Sequence, residues 1–215
     1  MLDRIRTLQG IVESGLVAVI RAESAEQAIQ LVEACREGGV GAIEITFTVR
    51  GAEGVIREVA RRYSNGDFAL GAGTVLDPET ARIAMLAGAQ YVVTPALNEA
   101  TVRICNRYQI PCIPGAMTVE EVLRAMECGA DVVKLFPGEL FGPGAIRAIR
   151  GPLPQANLLP TGGVNLDNVS EWIAAGAVGV AVGGALTGAA KTGGMKAVTQ
   201  IAQKFLEKIK EARKK

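Results

Sequence analysis

The sequence predicts an α/β protein, a single-domain (β/α)8 barrel of the TIM type with an N-terminal helix, and three observations carry that prediction. Eight short apolar runs recur at a spacing of about 20 to 25 residues. Each is followed by a segment with helical spacing, and the connections between them are short. No GxGxxG follows the first run, which counts against a doubly wound open sheet, the main alternative. At 215 residues the chain is long enough for one sizeable core, and no shift in composition marks a second domain within residues 1–215.

In order, Ile5, Leu8, Ile11 and Val12 have helical spacing and Gly15 stops them. Leu16 to Ile20 is the first strand. Ser24 is a candidate N-cap with Gln27 three residues on, opening a helix that closes at Gly38-Gly39. Strand Ala42 to Phe47 follows, then helix Gly54 to Arg62 and strand Phe68 to Leu70, running into Gly71-Ala72-Gly73-Thr74. Helix Pro78 to Leu86 leads to strand Tyr91 to Val93, and helix Glu99 to Arg107 to strand Pro111 to Ile113 and Pro114-Gly115. Helix Val119 to Cys128 leads to strand Asp131 to Leu135. After helix Gly144 to Ile149 come strand Asn157 to Leu159, helix Asp167 to Ala175 and strand Val178 to Val182. A helix from Met195 to Arg213 ends the chain.

Trp172 to Ala190 carries no charge and holds two Gly-xxx-Gly spacings, Gly179 to Gly183 and Gly184 to Gly188, which raises the possibility of a membrane helix. Its glycines and few bulky residues favour a helix end, a strand and a turn instead. No membrane partner is expected, and the charged start of the chain, with Asp3, Arg4 and Arg6, lacks the apolar core of a signal peptide, which points to the cytoplasm. Net charge +1 and 4% aromatic residues provide neither a basic groove nor stacking platforms, so no nucleic-acid partner is expected. The four cysteines have no CxxC spacing and read as reduced thiols. The chain has no histidine, which removes the commonest general base and the usual imidazole metal ligand. Acid–base work falls to Glu, Asp, Lys, Tyr or Cys.

In a barrel of this kind chemistry gathers at the C-terminal ends of the strands. Those ends carry Arg21, Glu44, Thr46, Arg50, Thr74, Thr94, Pro95, Lys134, Phe136 and the glycine turns Gly162-Gly163 and Gly183-Gly184. Lys134 is the most informative. It stands in the apolar run Val132 to Phe136, and between Met1 and Ala190 the chain has 14 arginines and no other lysine. Arginine keeps its proton, whereas a lysine in an apolar site can offer a neutral amine, so nucleophilic amine chemistry is the first expectation. The plain alternative is a lysine that snorkels to water. Glu44 lies in a similar run, Ala42 to Phe47, as a structural salt-bridge partner of Lys134 or as the carboxyl that moves protons beside it. The two glycine turns close the last two strands, where backbone N–H groups of barrels often bind phosphate. Arg21 and Arg50 are candidate anion ligands or solvated surface arginines.

Glu44-Ile45-Thr46, Gly71-Ala72-Gly73-Thr74-Val75, Pro114-Gly115, Lys134-Leu135-Phe136-Pro137 and Pro160-Thr161-Gly162-Gly163-Val164 resemble, in order and spacing, the class I 2-keto-3-deoxy-6-phosphogluconate (KDPG) and 4-hydroxy-2-oxoglutarate (KHG) aldolases. The resemblance covers nearly the whole chain. It implies a homotrimeric barrel, with neither metal nor organic cofactor, that cleaves a small 2-keto acid through a Schiff base. KDPG would give pyruvate and glyceraldehyde 3-phosphate, and KHG pyruvate and glyoxylate. By the same resemblance Lys134 is the Schiff-base lysine and Glu44 the proton-transfer residue. Thr74 with Arg50 holds the pyruvate carboxylate, Pro95 and Phe136 line the pocket, and Gly162, Gly163 and Gly184 bind phosphate.

Two departures stand out. Many members place their arginine soon after the glutamate, whereas Phe47-Thr48-Val49-Arg50 sets it further along. The second glycine turn reads Gly183-Gly184-Ala185 without the serine that members tend to carry, which would favour the unphosphorylated substrate. The alternatives are a 2-keto-3-deoxy-6-phosphogalactonate aldolase, a phosphosugar isomerase or epimerase using Glu44, and a non-catalytic phosphosugar-binding barrel.

Overall fold

The computed structural model describes residues 2–63 and 66–214, so Met1, Ser64, Asn65 and Lys215 of the expected 1–215 domain lie outside the described residues. Helix α1 (Asp3–Ser14) ends at Gly15, whose φ of 67° is the left-handed turn that glycine adopts freely. Strand β1 (Leu16–Ile20) follows, then α2 (Ala25–Glu37), β2 (Ala42–Thr46), α3 (Ala52–Arg62), β3 (Ala69–Gly73), α4 (Pro78–Ala87), β4 (Tyr91–Val93) and α5 (Glu99–Arg107). Next come β5 (Cys112–Ile113), β6 (Gly115–Ala116), α6 (Val119–Glu127), β7 (Val133–Leu135), a 3₁₀ turn (Gly138–Leu140), α7 (Gly144–Arg150) and β8 (Leu158–Pro160). The chain closes with α8 (Val169–Ala174), β9 (Val180–Val182), α9 (Gly184–Thr187) and α10 (Ala190–Ala212). Local chemistry sets the helix starts. Ser24, Asp77 and Asn98 each accept the backbone N–H three residues on, and Thr118 and Glu121 form a reciprocal capping box.

All strand pairs are parallel. Six strands run β5-β4-β3-β2-β1-β9, and a second group runs β6-β7-β8. The expected fifth strand, Pro111 to Ile113, is followed by a second short strand the spacing did not predict: Pro114 has no N–H to give to a ladder, so β5 and β6 flank it and pair with different neighbours. A single parallel bridge, Thr161 to Ala181, joins the end of β8 to β9.

Side chains alternate across the sheet and divide the core in two. One set, including Leu16, Ala18, Ile43, Ile45, Val92 and Leu135, packs under the helices. The other, Val17, Val19, Ala42, Tyr91, Val93, Ile113, Val132, Leu159 and Ala181, fills the opposite side with Ile11 of α1 against it. The uncharged Trp172 to Ala190 stretch is divided among α8, β9, α9 and the start of α10, and among the described residues no helix is long and apolar enough to cross a membrane. The last helix begins earlier than its spacing predicts, with a break at Gly194, where φ is 66°.

Candidate active site

Lys134 and Glu44 continue the inner alternation by one step. Val132 belongs to the inner core and Lys134 is two residues on; Ala42 belongs to it and Glu44 is two residues on. Parallel register then sets their neighbours. Val19 pairs with Glu44, Glu44 with Gly71 and Gly71 with Tyr91, while Lys134 lies between Gly115 and Leu159. Both charged residues are buried, with Glu44 1% and Lys134 3% exposed.

The glycines of β3 make this layer possible. A Cβ on Gly73 would overlap the Glu44 carboxyl, and one on Gly71 would overlap the phenol end of the Tyr91 ring. Gly115 does the same for the backbone of Pro95. The Gly71-Ala72-Gly73 motif is therefore a space requirement of two neighbouring strands.

No ion pair joins Glu44 to Lys134, and Glu44 Oε1 has no hydrogen-bond partner among the described residues. A structural salt bridge is not what holds Lys134 in the apolar layer. Burial pushes the Glu44 carboxyl up from the ordinary carboxylate range, opposed by the charges of Lys134 and Arg21. Burial lowers Lys134 from the ordinary amine range; the Glu44 charge opposes this and Arg21 reinforces it. Desolvation is the largest influence on both groups and shifts each toward its neutral form. The Phe136 ring centroid is 4.7 Å from Lys134 Nζ, which gives the ammonium form an aromatic face.

A cavity of about 450 Å³ opens at these strand ends. Its wall includes Arg21, Phe136, Glu139, Thr161, Gly162, Gly163, Asn165, Gly183, Gly184 and Ala185. Gly162 and Gly163 have φ of 92° and 69°, a left-handed turn few other residues would accept. Thr74, at the end of β3, is half-buried with φ 55°, an unusual conformation for a β-branched residue. Pro95 is half-buried just beyond β4.

Arg21 and Arg50 are both exposed. Arg21 lines the cavity and its charge reaches both Lys134 and Glu44, whereas Arg50, on the turn after β2, is outside the cavity lining, as are Lys134, Glu44, Thr74 and Pro95. Thr46 and Thr94 are at strand ends but spend their hydroxyls locally. Thr46 donates to Ile20 O at 3.0 Å and Thr94 to Ala96 O at 2.5 Å. Glu139, Thr161 and Asn165 in the wall, and Tyr91 beneath it, were not singled out from sequence. For Tyr91 the signal was available in the two β3 glycines, which imply large side chains on the neighbouring strands. Among the described residues no group of three or more Cys, Asp or Glu side chains is placed to hold a metal ion.

The family model for KDPG and KHG aldolases matches residues 9–203. The chain belongs to this family. Membership makes it an aldolase, a carbon–carbon lyase. The 2-dehydro-3-deoxy-phosphogluconate aldolase of Treponema pallidum is 40% identical over 161 residues, 74% of this chain and 75% of the relative. The KHG/KDPG aldolase of Escherichia coli K12 is 33% identical over 199 residues, 91% of this chain and 92% of the relative. Among solved structures, KDPG aldolase from Legionella pneumophila, with pyruvate captured at low pH as a covalent carbinolamine intermediate, superposes with TM-score 0.83 at 26% identity, covering 92% of this chain and 98% of that one.

Proposed function

We propose that this family member cleaves KDPG to pyruvate and glyceraldehyde 3-phosphate, KHG to pyruvate and glyoxylate, or both, through a Schiff base on Lys134. The observation that carries the reading is the buried Lys134 and Glu44 in one layer without an ion pair, in a chain that has no histidine. The carbinolamine trapped in the Legionella relative supports it.

Neutral Lys134 Nζ attacks the C2 keto carbon, and the Glu44 carboxyl protonates the carbinolamine hydroxyl, which leaves as water. The protonated imine is an electron sink. The Glu44 carboxylate takes the proton of the C4 hydroxyl, the C3–C4 bonding pair moves toward the imine nitrogen, and the aldehyde departs. The enamine recovers a proton at C3 from Glu44, and addition of water then releases pyruvate and the free amine. Glu44 thus gives and takes one proton in turn, which suits a carboxyl whose burial opposes the charged form.

In this reading Thr74 holds the pyruvate carboxylate, Pro95 and Phe136 bracket the keto acid, and Arg21, which lines the cavity, supplies a cation, with Arg50 the second candidate. The N–H groups of Gly162, Gly163 and Gly184 receive the distal anionic group. The whole chain works as one domain, a (β/α)8 barrel whose two parallel groups are joined at Pro114 and by the Thr161–Ala181 bridge. The four cysteines are free thiols, as suits the cytoplasm. Three chains associate, covering apolar side chains such as Ile83, Leu86 (61% exposed), Tyr108 and Leu123. Sedimentation at three times the 22.5 kDa chain mass is expected, and a monomer at working concentration overturns the trimer.

Pyruvate with borohydride tests the chemistry. Reduction should inactivate the enzyme irreversibly and add the mass of the reduced adduct to the peptide carrying Lys134. Activity that survives this treatment, or dependence on a divalent metal, rejects the Schiff-base reading.

A further inference from the structure

The mechanism above leaves one buried polar group of the inner layer without a task, the hydroxyl of Tyr91. Its residue is 0% exposed and the oxygen has no hydrogen-bond partner among the described residues, as is also true of Glu44 Oε1. A buried hydroxyl without a partner costs about 1–3 kcal/mol, and a phenylalanine would fill the same space without that cost. Geometry brings the two orphaned atoms to the same place. Tyr91 pairs with Gly71 and Gly71 with Glu44. The phenol end of the ring covers Gly71, and the Glu44 carboxyl covers Gly73 on the same strand and the same face. Positions two residues apart on a strand are separated by about 6.6 Å, so the phenol oxygen, which projects beyond the ring, is brought to the carboxyl's side of the layer; the two make no direct hydrogen bond, and one water molecule would bridge them. Burial, and after it the Glu44 charge, holds the Tyr91 phenol well above its ordinary range, so it remains a donor throughout the working pH range.

Resting on the proposed Schiff-base reading, we propose that Tyr91 is a positioning residue that donates its hydroxyl hydrogen toward the Glu44 carboxylate through one bridging water, steadying it between the proton it gives to the carbinolamine and the proton it takes from the C4 hydroxyl. Other groups facing Glu44 are Lys134 from β7 and Arg21 from the end of β1; both are cationic when charged, and Tyr91 from β4 is the neutral donor. Burial opposes the charged carboxylate, and a donor aimed at it offsets part of that penalty at the moment the charge forms.

Tyr91→Phe tests the assignment. The substitution keeps the ring, so thermal stability should hold or rise. The expected result is a fall in kcat of about tenfold with KM changed little, and an acid limb of the kcat profile moved to higher pH by about 1 unit, because the carboxyl loses a donor to its charged form. In a Glu44→Gln background the same substitution should have no further effect on kcat. An unchanged kcat and limb, a lowered kcat with an unmoved limb, or an equal loss in the Glu44→Gln background each overturns the assignment. Borohydride trapping is run in parallel. Trapping at Lys134 in both proteins with an unmoved limb rejects Tyr91 alone, whereas no trapping in the unsubstituted enzyme rejects the Schiff-base reading and Tyr91 with it.

Discussion

Lys134→Arg should abolish aldol cleavage, lowering kcat by roughly 10⁴-fold or more, as removal of a covalent nucleophile does elsewhere. The substitution keeps the positive charge and so separates charge from nucleophilicity. A guanidinium does not lose its proton in the working range and has no lone pair to offer to a carbonyl carbon. Lys134 differs because its position, 3% exposed among Val132, Val133 and Leu135, removes water from the ammonium and lowers its proton affinity. Turnover with substrate and covalent trapping with pyruvate and borohydride should both disappear. Cleavage retained within tenfold would show that the residue serves only as a fixed cation. Circular dichroism and a thermal scan on the same sample establish that the fold survives, since the larger head group must find room beside Gly115 and Leu159.

Glu44→Gln should reduce kcat by about 10²- to 10⁴-fold, the usual contribution of a positioned acid–base group, while pyruvate still forms some adduct on Lys134. Glutamine keeps the shape and the hydrogen-bonding reach but can neither give nor take the proton. Its second consequence concerns stability. Burial raises the folded carboxyl above its unfolded value of 4.5. Over the interval between those two values the folded state holds more protons than the unfolded one, so the carboxyl's contribution is fully present below 4.5 and declines as pH rises through the folded value. Glu44→Gln should remove that decline, leaving a flatter stability profile from mildly acid to neutral pH, measurable by denaturant titration at several pH values. A slope unchanged by the substitution would place the carboxyl's proton affinity near its ordinary value and remove the main reason for assigning it acid chemistry. Lys134 acts in the opposite sense. Its lowered folded value contributes stability present at high pH and lost as pH falls through it, so the two profiles can be told apart.

Lys134 and Glu44 were legible from sequence because each breaks an apolar alternation, and because a chain with one lysine in its first 190 residues and no histidine has few other places to put proton and amine chemistry. The strand–helix alternation was legible for a similar reason: short apolar runs punctuated by caps such as Ser24 and Thr118. Element ends were less so. The short strand Gly115–Ala116 beyond Pro114 was not expected, and Gly194 interrupted a helix from within. The place of Arg21 in the cavity wall was not legible, because distance along the chain does not reveal which strand ends share a space.

What the sequence determined by itself is therefore the chemistry available: one buried amine, one buried carboxyl, glycine turns at the last strand ends, and an alternation that puts amine and carboxyl on inner faces. What only the tertiary structure decided is which groups share a space. Register places Gly71 and Gly73 beneath Tyr91 and Glu44, and the turn after β1 sends Arg21 to the cavity. The physical reason is that proton affinity and reactivity depend on desolvation and on charges a few ångströms away. Those neighbours come from strands separated by tens of residues in the chain and are set by backbone pairing across the sheet.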